Sequence, residues 1–113
     1  MKTEKKGLIC VFKPENLMST EAMREKFIAN YLTFLEMESV EFKCWWCDQK
    51  KKEWGAFHVF RSNDELDAYL ESDTWKRVIP ERWGCKPMWS VVEVGLILSK
   101  KILTRAEDSW VSE

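Results

Sequence analysis

The 113-residue chain has a single histidine, His58, and only four glycines. One imidazole excludes histidine-rich metal sites, although it leaves room for one general base. With so few, scattered glycines, a nucleotide-phosphate cradle has nothing to be built from. No G-x-S-x-G elbow, H-E-x-x-H helix or calcium loop occurs either. Neither sign of charge dominates, since 18 Lys+Arg against 19 Asp+Glu leave −1. Divided after Glu53, the chain carries 10 basic and 9 acidic residues (+1), then 8 and 10 (−2). Neither half has the basic excess that nucleic-acid phosphates require. Long hydrophobic runs are missing as well. The run Leu8 to Phe12 is shorter than the roughly 7–15 apolar residues of a secretory signal, and Lys13-Pro14-Glu15 ends it. No segment approaches the roughly 18 apolar residues of a membrane span. The expectation is a cytoplasmic protein with no membrane or nucleic-acid partner, whose cysteines are reduced thiols.

What is present is an ordinary globular balance, 45% hydrophobic and 33% charged, with an unusual surplus of seven Trp and four Cys. Residues 1–113 read as one domain, of the usual size of about 100–150 residues. Its core is expected from about residue 6 to 98, with 99–113 as a polar C-terminal extension. Indole is costly to bury because its N–H wants a partner. An aromatic share of 13% therefore points to a filled core, an interface or an aromatic-walled pocket.

Gly7 to Lys13 predicts a first strand closed by Lys13-Pro14. Ser19 or Thr20 can cap a helix over about 20–36, with Met23, Phe27, Tyr31 and Leu35 recurring every four residues. Ile28, Leu32 and Phe34 widen its apolar face. From Ser39 to Cys47, Val40, Phe42, Cys44 and Trp46 alternate with Glu41, Lys43, Trp45 and Cys47, which is strand periodicity. A polar turn at Asp48–Glu53 leads into a second strand, Trp54 to Arg61. Ser62 and Glu65 form a capping box for another helix, whose stripe is Leu66, Tyr69 and Leu70, extended by Trp75, Val78 and Ile79. Pro80 is expected to stop it. An irregular stretch then leads to a last strand over Met88–Leu98, and Ile102, Leu103, Trp110 and Val111 could dock the tail.

The order β-α-β-β-α-β is the ferredoxin-like α+β arrangement, an antiparallel sheet with helices on one face. The opposite face should then be polar, yet both parities of the central hairpin are apolar. A partner sheet resolves the conflict, which predicts a homodimer packed sheet to sheet.

Cys44-Trp45-Trp46-Cys47 has redox-motif spacing, but it lies on a strand, where positions i and i+3 point to opposite faces. A zinc site from Cys44, Cys47, Cys85 and His58 is chemically conceivable but lacks a second close-spaced ligand pair. Packed thiols, and no metal, are the simpler reading. His58 shares a parity with Trp54, Ala56 and Phe60, as a packed strand histidine or a site residue would.

The segments Phe42-Lys43-Cys44-Trp45, Glu53-Trp54-Gly55-Ala56-Phe57-His58-Val59-Phe60 and Ala68-Tyr69-Leu70-Glu71 resemble the YdhR-type mono-oxygenases of the dimeric α+β barrel superfamily. That pattern runs W-K-x-W, an acidic residue before a glycine pair, an aromatic strand ending in Phe, and a helix with A-Y-L-E. Lys43, Trp45, Glu53, Gly55, Phe60, Ala68, Tyr69, Leu70 and Glu71 fall on it, over about residues 39–72. Phe42 stands where the family often has Trp, Ala56 replaces the second Gly, and Trp46-Cys47 replaces polar residues. The resemblance implies a homodimer whose sheets close a barrel, each subunit holding an apolar pocket between sheet and helices. It also implies cofactor-free oxygenation of polycyclic aromatic compounds, or haem degradation by an Asn, a Trp and a His. The first strand here carries no Asn.

Residue chemistry then assigns roles in an oxygenase acting on an aromatic small molecule without a cofactor. His58 would accept a proton, Lys43 would hold the resulting anion, and Trp45 with Phe60 would stack on the ring. The alternative is a non-catalytic ligand-binding or interaction protein using the same pocket.

Overall fold

The computed structural model describes residues 5–96. The expected last residues of the final strand and the tail, with Ile102, Leu103, Trp110 and Val111, lie outside them. Strand β1 (Lys6–Phe12) buries Leu8, Cys10 and Phe12 and leaves Ile9 and Val11 half covered. Its alternation places one row under a helical layer and the other on the open face. It pairs antiparallel with β3 (Glu53–Phe60) on one side and β4 (Met88–Glu93) on the other. Strand β2 (Val40–Asp48) pairs antiparallel with the free edge of β3, giving the order β2-β3-β1-β4. This is the ferredoxin-like α+β sheet that the sequence predicts. Among the described residues, no helix is long and apolar enough to cross a membrane.

Strand β2 corrects the simple alternation. Val40 lies opposite Phe60 but Phe42 lies opposite Val59, so Glu41 is an extra, bulged residue. Glu41 is solvent-exposed and ion-pairs with Lys5. The bulge turns Val40 onto the helix-covered face, where it packs against the core with Trp45 and Cys47, and away from the parity of Phe42.

Helix α1 (Thr20–Leu35) is capped by the Ser19 hydroxyl, which accepts from the Ala22 N–H at 3.2 Å. Met23 and Phe27 are buried, whereas Leu32 and Leu35 are 58% and 65% exposed. A four-residue repeat advances by about 400°, so the stripe drifts about 40° per step, and Leu35 ends about 120° from Met23. Phe34, seven residues beyond Phe27, comes back within about 20° and stays on the core side. The expected buried position Leu35 thus passes to Phe34.

Helix α2 (Asn63–Glu71) has the predicted capping box, with Ser62 Oγ accepting from the Glu65 N–H at 3.2 Å. The chain does not stop at Pro80. After Ser72, a π-helical turn (Thr74–Val78) runs into α3 (Ile79–Trp83), with Pro80 in the first turn of that helix. Proline is tolerated there because the N–H it lacks has no partner in a first turn. Gly84 ends α3 in the left-handed conformation at φ 73°, donating its N–H to the Pro80 carbonyl at 2.8 Å. Leu66, Tyr69, Trp75 and Trp83 are the buried side chains of this helical run. Trp54 stacks on Phe12 at 4.2 Å and 3°, and its ring centroid lies 4.1 Å from that of Trp83.

Among the described residues, the opposite face carries no helix. It presents Ile9, Val11, Phe42, Trp46, Phe57, Met88 and Val92, with Phe42 41% and Met88 57% exposed. Gly55 lies beneath the Trp46 indole. A Cβ there would come within 2.4 Å of both that ring and the Cys10 carbonyl oxygen. Gly55→Ala should therefore destabilise the fold by about 1–3 kcal/mol through overpacking. Gly95→Ala, with open space around it, should leave the urea midpoint unchanged. Equal midpoints for the two variants would refute the close approach.

Candidate functional site

Strands β2 and β3 bring Lys43 and His58 opposite each other on the helix-covered face, with Trp45 paired opposite Ala56 and Phe60 two residues beyond His58. Helix α1 lays Phe34 over them, and α2 contributes Tyr69. The four residues singled out from the sequence, Lys43, Trp45, His58 and Phe60, are therefore neighbours. Two residues the site also contains, Cys10 and Phe34, were not among them. The even parity of β1 and the seven-residue spacing from Phe27 are the signals that could have found them.

Lys43 has no anionic partner among the described residues. Its Nζ lies 3.3 Å from the Phe34 ring centroid and 4.7 Å from that of Trp45. Ring faces attract a cation, but less than the water they displace, so burial drives the Lys43 pKa down to about 7, with Cys10 pulling slightly the other way. The residue as a whole keeps part of its surface in contact with solvent. Near neutral pH the amine is thus divided between its neutral and charged forms.

His58 is only 2% exposed and lies among three rings, with Phe34 at 5.9 Å, Phe60 stacked at 5.8 Å and Tyr69 at 5.8 Å. Neither ring nitrogen has a hydrogen-bond partner among the described residues. Burial first, and the neighbouring Lys43 charge second, hold its pKa at about 3, against a smaller pull from the Leu8 backbone. Such an imidazole stays neutral and is a weak base at neutral pH. Beside it, burial pushes the Cys10 thiol up to about 11, with Lys43 opposing the shift. Burial also raises the Tyr69 phenol, so both keep their protons. Of these groups, Lys43 alone exchanges a proton near pH 7.

Phe60 is 1% exposed and backs the histidine, whereas Trp45 is half-buried and contacts Phe27, Tyr31 and Phe34 with its edge or face at 6.1–6.4 Å. The cysteine pair is separated by the sheet itself. Cys44 lies exposed on the open face, and Cys47 lies half-buried on the other, near Gln49. Among the described residues no three His, Cys, Asp or Glu side chains are grouped to hold a metal ion.

No protein-family profile matches the chain, and no curated protein matches it in sequence. Solved structures match it by fold. Similar to it is SnoaB, a cofactor-independent oxygenase from Streptomyces nogalater. The likeness has a TM-score of 0.60 with 11% identity and covers 87% of this chain and 100% of that one. A protein of unknown function from Nitrosomonas europaea aligns at 0.57 and 18% identity, over 89% of this chain and 96% of that one. A conserved protein from Methanosarcina mazei aligns at 0.55 and 12% identity, over 80% and 92%. At these identities the likeness establishes the shared α+β fold.

The buried histidine sets a pH dependence of stability. Its folded-state pKa of about 3 lies below the ordinary value of 6.5, so between these limits the unfolded chain binds the proton that the folded one refuses. The His58 contribution is complete above 6.5 and is expected to fall as the pH drops toward 3, with a slope of about 1.4 kcal/mol per pH unit from this residue. His58→Phe should flatten that slope in urea titrations between pH 6.5 and 4.5. A variant as acid-sensitive as the parent would show that the imidazole is not desolvated.

Proposed function

We propose that the chain is a small oxygenase that acts, without a cofactor of its own, on an aromatic or polycyclic compound bearing an acidic C–H or O–H group. The observation that supports this most is the Lys43 amine, without an anionic partner among the described residues, set between Phe34 and Trp45 and poised to exchange a proton near pH 7. The fold likeness to a cofactor-independent oxygenase agrees with it.

In this reading Lys43, not His58, takes the proton, because a base is most effective when its pKa lies near the working pH. The ammonium so formed then holds the substrate anion, the role that residue chemistry assigns to Lys43 from the sequence. His58 stays neutral and, with Phe60 behind it, walls the inner side of the Lys43 amine, while the half-buried Trp45 ring supplies the stacking face. The carbanion gives its electrons to dioxygen and forms a C–O bond, and the peroxide anion takes back the proton from the Lys43 ammonium. The resulting hydroperoxide loses water, so a CH2 group and O2 yield a C=O group and H2O.

The uncovered sheet face belongs to the same proposal. Phe42, Trp46, Phe57 and Met88 make an apolar surface that a second copy would cover, as a homodimer closed sheet to sheet. Reduced thiols at Cys10, Cys44, Cys47 and Cys85 fit a cytoplasmic setting.

Oxygen uptake with an anthrone as probe tests the chemistry. Parent protein should consume oxygen with kcat/KM rising through about pH 7, and Lys43→Met should lose at least about 100-fold. Tryptophan quenching by the anthrone with no oxygen uptake would instead favour a binding protein. For the assembly, light scattering should give twice the 13.5 kDa chain mass, and Phe42→Lys should halve it. A parent that is monomeric at micromolar concentration would remove the barrel.

A further inference from the structure

A cavity of about 400 Å³ lies away from Lys43 and His58, between the end of α2, the π-helical turn, the start of α3 and strand β4. Tyr69 is in ring contact with both His58, at 5.8 Å, and Trp75, at 5.5 Å, and Trp75 forms the inner wall of this cavity. The core aromatic layer therefore stands between the two places.

Two features give the cavity a chemical preference. The first is shape. Trp75 is buried, Trp89 is 50% exposed, and their rings meet at 85° with centroids 6.0 Å apart. They make an open corner in which one flat ring can lie along Trp89 while meeting Trp75 edge-on, the arrangement aromatic groups favour. Pro80 and Pro87 close it with rigid apolar surfaces that lose no side-chain freedom on binding. The volume suits a ring system of one or two fused rings.

The second feature is charge. Lys76 and Glu71 both line the cavity, and they neutralise each other through an ion pair of 2.8 Å. Lys86, also in the lining, has no ion-pair partner among the described residues, so the rim carries one uncompensated positive charge. An apolar corner with a single free ammonium at its edge selects a flat molecule carrying one negative charge.

We propose that this corner is a binding site for an aromatic carboxylate, with the ring system against Trp89 and Trp75 and the carboxylate at Lys86. It is independent of the chemistry proposed at Lys43. Calorimetric titration with 2-naphthoate, and with the neutral 2-naphthamide as its control, tests it on the full chain. Saturable binding at one site per chain is expected, with the acid bound more tightly than the amide. Trp89→Ala, a surface change whose folding circular dichroism can verify, should weaken both probes by about tenfold. Lys86→Met should weaken the acid by about threefold and leave the amide unchanged. Lys43→Met should change neither. Absence of saturable binding, equal affinity for acid and amide, indifference to Trp89→Ala, or loss of binding in Lys43→Met would each overturn the site.

Discussion

The register of β3 between β1 and β2 is the constraint on which the covered half of the molecule depends. It sets Leu8, His58 and Lys43 in one row, Cys10, Ala56 and Trp45 in the next, and Phe12, Trp54 and Cys47 in the third. Because side chains alternate across a sheet, a slip of one residue would turn His58 outward and bring Phe57 and Val59 beneath the helices. The bulge at Glu41 works within this constraint, letting Val40 cover the core at one end of β2 while Lys43 keeps its place opposite His58. Ala56, the smallest side chain of its row, leaves space between larger neighbours for the Lys43 stem and the Trp45 indole.

The covered face is less stable than its aromatic content suggests. An imidazole and an amine that, among the described residues, lack a hydrogen-bond partner and a counter-ion each disfavour the folded state, and unsatisfied buried polar groups cost about 1–3 kcal/mol apiece. The Phe12–Trp54 stack, with Trp83 tilted against it, packs the far end of the same sheet, where the Trp54 indole N–H is likewise buried without a partner among the described residues. Groups that oppose folding while sharing one small volume are what the chemistry proposed at Lys43 would need. The proximity of Lys43 also lowers the proton affinity of His58, so the two titrations are linked.

Much of this was legible in the residues. Alternation placed the strands, the Ser62–Glu65 pair placed α2, and the common parity of Trp54, Ala56, His58 and Phe60 put those four on one face. That Lys43 and Trp45 share this face, and not the one with Phe57 and Val59, is decided by the hairpin register. Three things were not legible. The bulge at Glu41 adds a residue without any glycine to mark it. Pro80 looks like a terminator until a π-helical turn supplies it with a first-turn position. The lowered proton affinities of Lys43 and His58 depend on solvent exclusion, to which Phe34 contributes from a helix distant in sequence. Strand periodicity shows which residues share a face, and only packing shows which of them has lost its water.

Gly7 and Gly55 both belong to the open face, and both have an aromatic ring from a neighbouring residue lying over them: Phe57 at 2.8 Å from where a Cβ would stand on Gly7, and Trp46 at 2.4 Å for Gly55. Rings laid across bare backbone in this way lie along the sheet and do not rise from it. Phe42, whose ring meets that of Phe57 at 64°, stands up from this floor beside it. In the homodimer proposed above, that raised ring would be the knob by which two such faces find their mutual orientation.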